Sequence, residues 1–290
     1  MADKLQAQRY EHKYLITEDV ALSVRDFVRS FLVIDEYGAT QPNLSYPVHS
    51  LYLDSDDLRL YQSTINGDKN RFKLRLRFYE NRPAAPIYFE IKKRTNNTIS
   101  KQRGGVKREF VREILQGAFP APHHIVSHDP RQLVAVQNFS KYILELGAKP
   151  KAHVAYLREA WISPHDNSVR VTMDRDVRCS PEPEARFVTD MIRPASVFEG
   201  KIVLELKFTN RFPDWFKQLV RVFGLAQCGA AKYVDGVTEL GAAAVTYAFA
   251  LPEKPVVPVN GKSSAVAPIN GSGSPPVTAQ APNAAAAQDT

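Results

Sequence analysis

The chain is poor in the features that mark secreted or membrane-spanning proteins. It has two cysteines in 290 residues, Cys179 and Cys228. That is too few for a disulfide framework, so a reducing cytoplasm is the expected compartment. No run of eighteen apolar residues occurs, and the amino-terminal MADKLQAQRYEHKY lacks the apolar core of a signal peptide. Neither export nor membrane insertion is therefore expected. The pattern G-x-x-x-x-G-K-[ST] is missing as well, which excludes P-loop chemistry. Aromatic residues are absent from residues 251–290, a stretch of Pro, Ala, Gly, Ser and Val with few charges. Such a composition buries too little apolar area to offset its ordering entropy, so a disordered tail is expected there and a folded part over about 8–250.

What is present is positive charge, a formal net +7, and it is arranged. In RFKLRLRFYE (71–80), Arg71, Lys73, Arg75 and Arg77 alternate with Phe72, Leu74, Leu76 and Phe78. Strict alternation is the period of a strand, so the four cations emerge from one face, where like charges repel. The pattern recurs. Glu11 and Lys13 share a face of YEHKYLI (10–16), and Glu90, Lys92 and Arg94 share one of PIYFEIKKR (86–94). Arg158 is in step with Tyr156 in KAHVAYLREAWIS (151–163), Arg170 with Asp174 in SVRVTMDRDV (168–177), and Lys201, Glu205 and Lys207 in KIVLELKF (201–208).

VHSLYLDS (48–55) reads as a further strand. Helical spacing covers a segment after Thr17 to about Leu32, then 56–65, 129–146 with a Gly147 stop, 212–224 and 230–241; VKREFVREIL (106–115) reads as a strand or the start of a helix. The class is α+β, with about eight largely antiparallel strands and helices outside them. Closing these strands into a barrel points the charges at one another across a lumen. That is tolerable when a polyanion fills the middle. Bidentate Arg and point-charge Lys suit phosphate oxygens, and the sparse carboxylates suit a divalent metal bridging them.

The E-x-K pairs at Glu11/Lys13, Glu90/Lys92 and Glu205/Lys207, with K-x-R-x-R at Lys73, Arg75 and Arg77, resemble the triphosphate tunnel metalloenzyme (CYTH-like) superfamily. RYEHKYLI, SLYLDS, KLRLRFY, YFEIKKR, YLREAW, VRVTMD, LELKF and AKYVDG, in that order, are similar to one branch of it, the VTC domain. This is the polyphosphate polymerase module of the vacuolar transporter chaperone complex. The likeness covers roughly residues 8–240 and implies an eight-stranded antiparallel tunnel. The tunnel would bind a nucleoside triphosphate, with ATP expected, together with Mn2+ or Mg2+, and pass the γ-phosphate to a growing polyphosphate chain.

Carried over by position, Lys13, Arg75, Arg77, Lys92 and Arg158 would grip phosphates beside Tyr156, joined by Lys73 and Lys207. Glu205 would hold the metal, with Glu11 and Glu90 as further candidate ligands. Lys232 would sit on a carboxy-terminal helix near one tunnel mouth, although Ala231 stands where the family motif begins with Ser. Lys101 and Lys107 are both candidates for a further lysine of the middle strands. The SPX domain and membrane helices that accompany the module in the eukaryotic complex are not seen, which suggests a stand-alone copy.

Two other readings compete. A hydrolase of the same fold would use a carboxylate, Glu11, Glu90 or Asp174, to orient water; a fuller E-x-E-x-K would favour it, but Arg9 stands at the first position. A module that holds polyphosphate without turnover would keep the same basic lumen. Nucleic acid is not the expected ligand, because Phe72 and Phe78 have the wrong parity to stack beside the cations. His123, His124 and His128 lack supporting zinc ligands and read as a polar loop.

Overall fold

Alternating strands dominate the molecule, and their two faces differ in kind. A computed structural model describes residues 10–246 apart from 97, 167 and 210. The segment 251–290, expected to be a disordered tail, lies outside the described residues. The strands are β1 (Tyr10–Ile16), β2 (Val33–Ile34), β3 (Ser45–Asp54), β4 (Asn70–Phe78), β5 (Ile87–Thr95), β6 (Thr98–Val106), β7 (Lys149–Ile162), β8 (Val169–Pro181), β9 (Ala195–Ser196) and β10 (Ile202–Phe208). Eight of them lie on one hydrogen-bonded path, β1-β10-β8-β7-β3-β4-β5-β6, antiparallel at each step. The two-residue strands β2 and β9 add to β7 and β8. The path rolls until β1 and β6 come together, and Lys92 of β5 reaches Glu11 of β1 across that seam.

The outer face is apolar and carries the folding energy. Leu74, Leu76 and Phe78 of β4 and Phe89 and Ile91 of β5 pack under α4 (Pro130–Leu146) through Val136, Phe139 and Ile143. Each such side chain contributes about 1.5–3 kcal/mol by leaving water. On the other side α1 (Glu18–Val28) and α5 (Asp214–Val222) cover Tyr14, Leu204, Leu206 and Met173 with Val24, Phe216 and Leu219. With the outside so well buried, the inner face is free to be charged.

Local chemistry explains the element ends. Asp129 caps α4 by accepting from the Arg131 N–H, Pro130 opens it, and Gly147 ends it at φ +59°. Glu18 and Asp19 open α1, but the Thr17 side chain makes no cap bond and the helix stops at Val28, short of Leu32. Between 106 and 115 the chain is a 3-10 turn followed by α3 (Val111–Leu115).

Two features depart from the expected arrangement. β6 was not legible, because TISKQRGGV has almost no apolar alternation. Its outward face at Gly104 is bare so that α4 can approach: a Cβ there would lie 2.4 Å from the Gln132 carbonyl oxygen. Secondly, not all helices pack outside. α2 (Arg59–Ile65) follows β3, and α6 (Lys232–Leu240) enters the end of the tunnel nearest to it; α7 (Ala242–Thr246) follows. Tyr233, Val234 and Val237 of α6 pack on Val48, Tyr52, Val154, Tyr156 and Val203, which share the inner face with the charges. Tyr233 stacks on Tyr52 at 4.8 Å and donates to Asp54 Oδ2 at 2.8 Å.

Candidate active site: a cation-lined tunnel

The registers place the charges in rows. Arg75, Glu90 and Arg103 are successive cross-strand partners across β4, β5 and β6, and Lys73, Lys92 and Lys101 are the next row. Glu90 is fully buried. Arg75 Nε donates to its Oε2 at 2.7 Å, Lys101 Nζ lies 2.7 Å from Oε1 as an ion pair, and Arg103 and Arg77 lie at 3.5 and 3.9 Å. Burial would raise the Glu90 pKa, but Lys101, Arg75, Arg77 and Arg103 together hold it well below the usual carboxylate range. Arg77 also donates to Ser50 Oγ at 3.3 Å and to Tyr156 Oη at 3.0 Å.

The second group centres on Asp174 and Glu205. Arg158 donates to both oxygens of Asp174 at 2.7 Å, and Lys232 Nζ from α6 bridges Asp174 Oδ2 at 2.7 Å and Glu205 Oε1 at 3.1 Å. Lys207 and Thr172 bond Glu205 Oε2, with Lys13 at 3.5 Å and Arg158 at 3.7 Å. Lys13 donates to the Ala230 carbonyl oxygen at 2.6 Å, and Lys13 and Lys92 flank Glu11 at 3.3 and 3.1 Å. Burial acts against ionisation of Glu11, Asp174 and Glu205, yet these cations hold all three below their ordinary values.

Lysines and arginines on these walls outnumber the four carboxylates by more than two to one, and the surplus is visible in the lysines. Burial, then Lys13, Lys92 and Arg71, push Lys73 down to about 7. Among the described residues no carboxylate pairs with it. Burial pushes Lys101 to about 7 and Lys207 to about 8 despite their carboxylate neighbours. Lys232 moves the other way, because Asp174 and Glu205 outweigh its burial.

Residues 8–240 match the family model described as the VTC domain. The chain belongs to the VTC domain family. It is 22% identical over 186 residues to vacuolar transporter chaperone complex subunit 2 of Schizosaccharomyces pombe, covering 58% of this chain and 25% of that protein. Subunit 4 of the same complex and organism is 26% identical over 229 residues, covering 67% and 32%. The chain thus spans between a quarter and a third of the length of these relatives. Among solved structures, the PH1819 protein of Pyrococcus horikoshii aligns at 13% identity over 80% of this chain and 99% of that one, with a TM-score of 0.41. A putative adenylate cyclase from Bacillus halodurans aligns at 14% over 77% and 93%, with a TM-score of 0.43.

In this VTC domain every residue singled out for phosphate binding, namely Lys13, Lys73, Arg75, Arg77, Lys92, Tyr156, Arg158, Lys207 and Lys232, lies on the inner face or on α6 against it. Between the two candidate lysines, Lys101 is the inner one; Lys107 precedes the 3-10 turn, exposed, 5.8 Å from the Phe110 ring. Arg103, Ser50 and Tyr52 were missed. Arg103 sits two residues after Lys101, a signal available once β6 is recognised. Ser50 and Tyr52 are uncharged on a strand whose other face is equally buried.

The three carboxylates considered for metal do not converge. Among the described residues no group of three His, Cys, Asp or Glu side chains forms a metal cage. Glu90 lies in its own cluster of cations, and Glu11 and Glu205 are separated by the shared Lys13. Both oxygens of Glu205 are engaged by Lys207, Thr172 and Lys232, so a divalent ion anchored there would have to draw its remaining ligands from phosphate oxygens. Of the three histidines, His124 accepts from the Ala121 N–H and pairs with Glu113 at 3.1 Å.

Proposed function

We propose that this VTC domain is a polyphosphate polymerase that transfers the γ-phosphate of ATP to the end of a polyphosphate chain. The observation that carries the reading is the row Lys73, Lys92 and Lys101, three lysines directly opposite one another across three strands. Like charges so placed destabilise a sheet, and burial has already driven two of them to about 7. A polyanion threaded between them removes that cost. Arg75, Arg77 and Arg158 supply forked donors around the transferring phosphate, and positioning with charge neutralisation is most of what phosphoryl transfer asks of a protein. Glu205 would hold Mn2+ or Mg2+, and a metal there would supply further positive charge to the phosphates.

Transfer to a phosphate acceptor, not to water, is favoured by the state of the carboxylates. Glu11, Glu90 and Asp174, the groups that could orient water, are each held by at least two cations and are weak bases as a result. The terminal oxygen of a phosphate chain needs no such base. No helix among the described residues is long and apolar enough to cross a membrane. Both cysteines are free, in keeping with a cytoplasmic site of action.

The test is to incubate the protein with ATP and manganese, resolve the products on a gel stained for polyphosphate, and measure orthophosphate. Long chains together with ADP are expected. Orthophosphate without chains would replace the polymerase by a triphosphatase, and neither product would leave a binding module. Glu205→Gln should abolish the dependence on manganese concentration; unchanged manganese affinity by calorimetry would remove Glu205 as the anchor.

A further inference from the structure

We propose that the tunnel mouth ringed by Tyr37, Tyr46, Tyr79 and Tyr88 is a stacking site for the base of the nucleoside triphosphate. The inference rests on the phosphoryl-transfer reading and adds to it what recognises the nucleoside. Tyr88 is the cross-strand partner of Arg77, and Tyr46 that of Arg158, so both rings project from the face that carries the phosphate-binding cations. Tyr79 follows Arg77 by two residues, just past the end of β4. α6 packs at the end of the tunnel where β3 ends at Asp54 and β4 begins. The tyrosines therefore gather at the opposite end.

The rings form two linked pairs. Tyr37 and Tyr46 have centroids 5.8 Å apart at 55°, and Tyr79 and Tyr88 are 6.1 Å apart at 72°. Both pairs lie at the end of the tunnel where β3 and β5 begin and β4 ends. Arg103 connects collar and phosphate site: its guanidinium carbon lies 3.8 Å over the Tyr88 ring while its Nε is 3.5 Å from Glu90. Opposite Tyr88 stands Gly105, where a Cβ would lie 3.2 Å from the ring.

The collar is built, not incidental. Tyr37 is 65% exposed, yet the loop that carries it is tied down by buried Asp35. That carboxylate accepts from the Gly38 N–H at 2.9 Å, the Tyr46 hydroxyl at 3.1 Å and Arg170 at 3.0 Å, while its own N–H donates to the Ala160 carbonyl at 2.9 Å. An aromatic held in water at little further entropic cost is suited to a planar ligand. Polyphosphate has no π-face and could use only the hydroxyls of four tyrosines. A nucleic acid strand would need more aromatics along its path. One base attached to a triphosphate meets both conditions, its phosphates reaching inward to Arg77, Arg103 and Arg158.

Calorimetry with manganese present, comparing ATP with inorganic tripolyphosphate, separates the two parts of the site. Tyr37→Ala should weaken ATP binding roughly 5- to 100-fold, the worth of one stacked base, and leave tripolyphosphate within about twofold. Tyr37→Trp should restore ATP. Equal losses for both ligands, or no loss for ATP, would overturn the base site while the tunnel stands. Failure of the wild-type protein to bind either ligand would overturn the tunnel reading and the base site with it.

Discussion

Raising the pH from about 6 to about 8 should turn the protein's own share of proton exchange on triphosphate binding from nearly neutral into uptake. The cause is the surplus of lysines gathered on the tunnel wall. In the free protein Lys73 is pushed down to about 7 by its burial and by Lys13 of β1, Lys92 of β5 and Arg71 of its own strand, with Asp235 of α6 acting weakly the other way. Lys207 is pushed to about 8, with Glu205, Glu11 and Asp174 opposing its burial. At about pH 8 Lys73 is then roughly one-tenth charged and Lys207 roughly half charged. A bound polyanion restores both charges, taking up roughly 0.9 proton at Lys73 and roughly 0.5 at Lys207. Lys101, whose side chain is 35% exposed, is better screened and adds less. At about pH 6 all three are already charged, and uptake at the lysines falls close to zero.

The assay is calorimetry of tripolyphosphate binding in buffers of different ionisation enthalpy. The ligand titrates in the same range, so the informative quantity is the difference between wild type and Lys73→Met, from which the ligand's own protons cancel. That difference should be close to one proton at about pH 8 and vanish near pH 6, with affinity falling about tenfold or more per pH unit across the upper part of the range. A difference that is the same at both pH values would refute the reasoning, because Lys73 would then be an ordinary charged lysine and the row across β4, β5 and β6 no cost to the fold.

Arg75→Ala should cut turnover on the order of 10²- to 10³-fold, as loss of one charge-stabilising donor does. The melting temperature should hold, because Glu90 keeps Lys101 and Arg103; near-normal turnover would remove Arg75 from the site. The buried pair His49 and His153, Nδ1 to Nε2 at 3.0 Å with both rings against Phe78, should make the fold acid-sensitive. Burial pushes His49 to about 4 and, helped by His49 and Arg186, His153 to about 3. The unfolded chain thus takes up protons below about pH 6.5 that the folded one refuses, so stability is complete above that pH and is lost as pH falls towards about 4. Replacing His153 with Gln should flatten the melting temperature against pH over this window; an unchanged slope would place the acid sensitivity elsewhere.

How much could be read in advance depended on whether one face of a strand was apolar. β1, β4, β5 and β10 alternate cleanly, and from them the lumen, its direction of charge and most of its residues follow. β6 does not alternate, because a helix presses on glycine outside and cations line it inside, so Arg103 was lost and Lys101 left undecided. β3 is buried on both faces at once, which hid Ser50 and Tyr52 among ordinary core residues. α6 reads only as a short helix, set near a tunnel mouth by the family resemblance, and its apolar face meets Val203, Val154 and Tyr52 inside the barrel mouth. That placement is what delivers Lys232 to Asp174 and Glu205, and no local pattern could report it. The tyrosine collar was out of reach for the same reason: Tyr37, Tyr46, Tyr79 and Tyr88 come from a loop, a strand start, a strand end and a third strand. Periodicity reports what one element does with its own two faces. The base site, the placement of α6 and the missing lysine all depend on what a second element brings to that face. The residues at the mouths of this tunnel, not those that line it, are therefore where substitution among relatives of the same fold should alter which triphosphate is used.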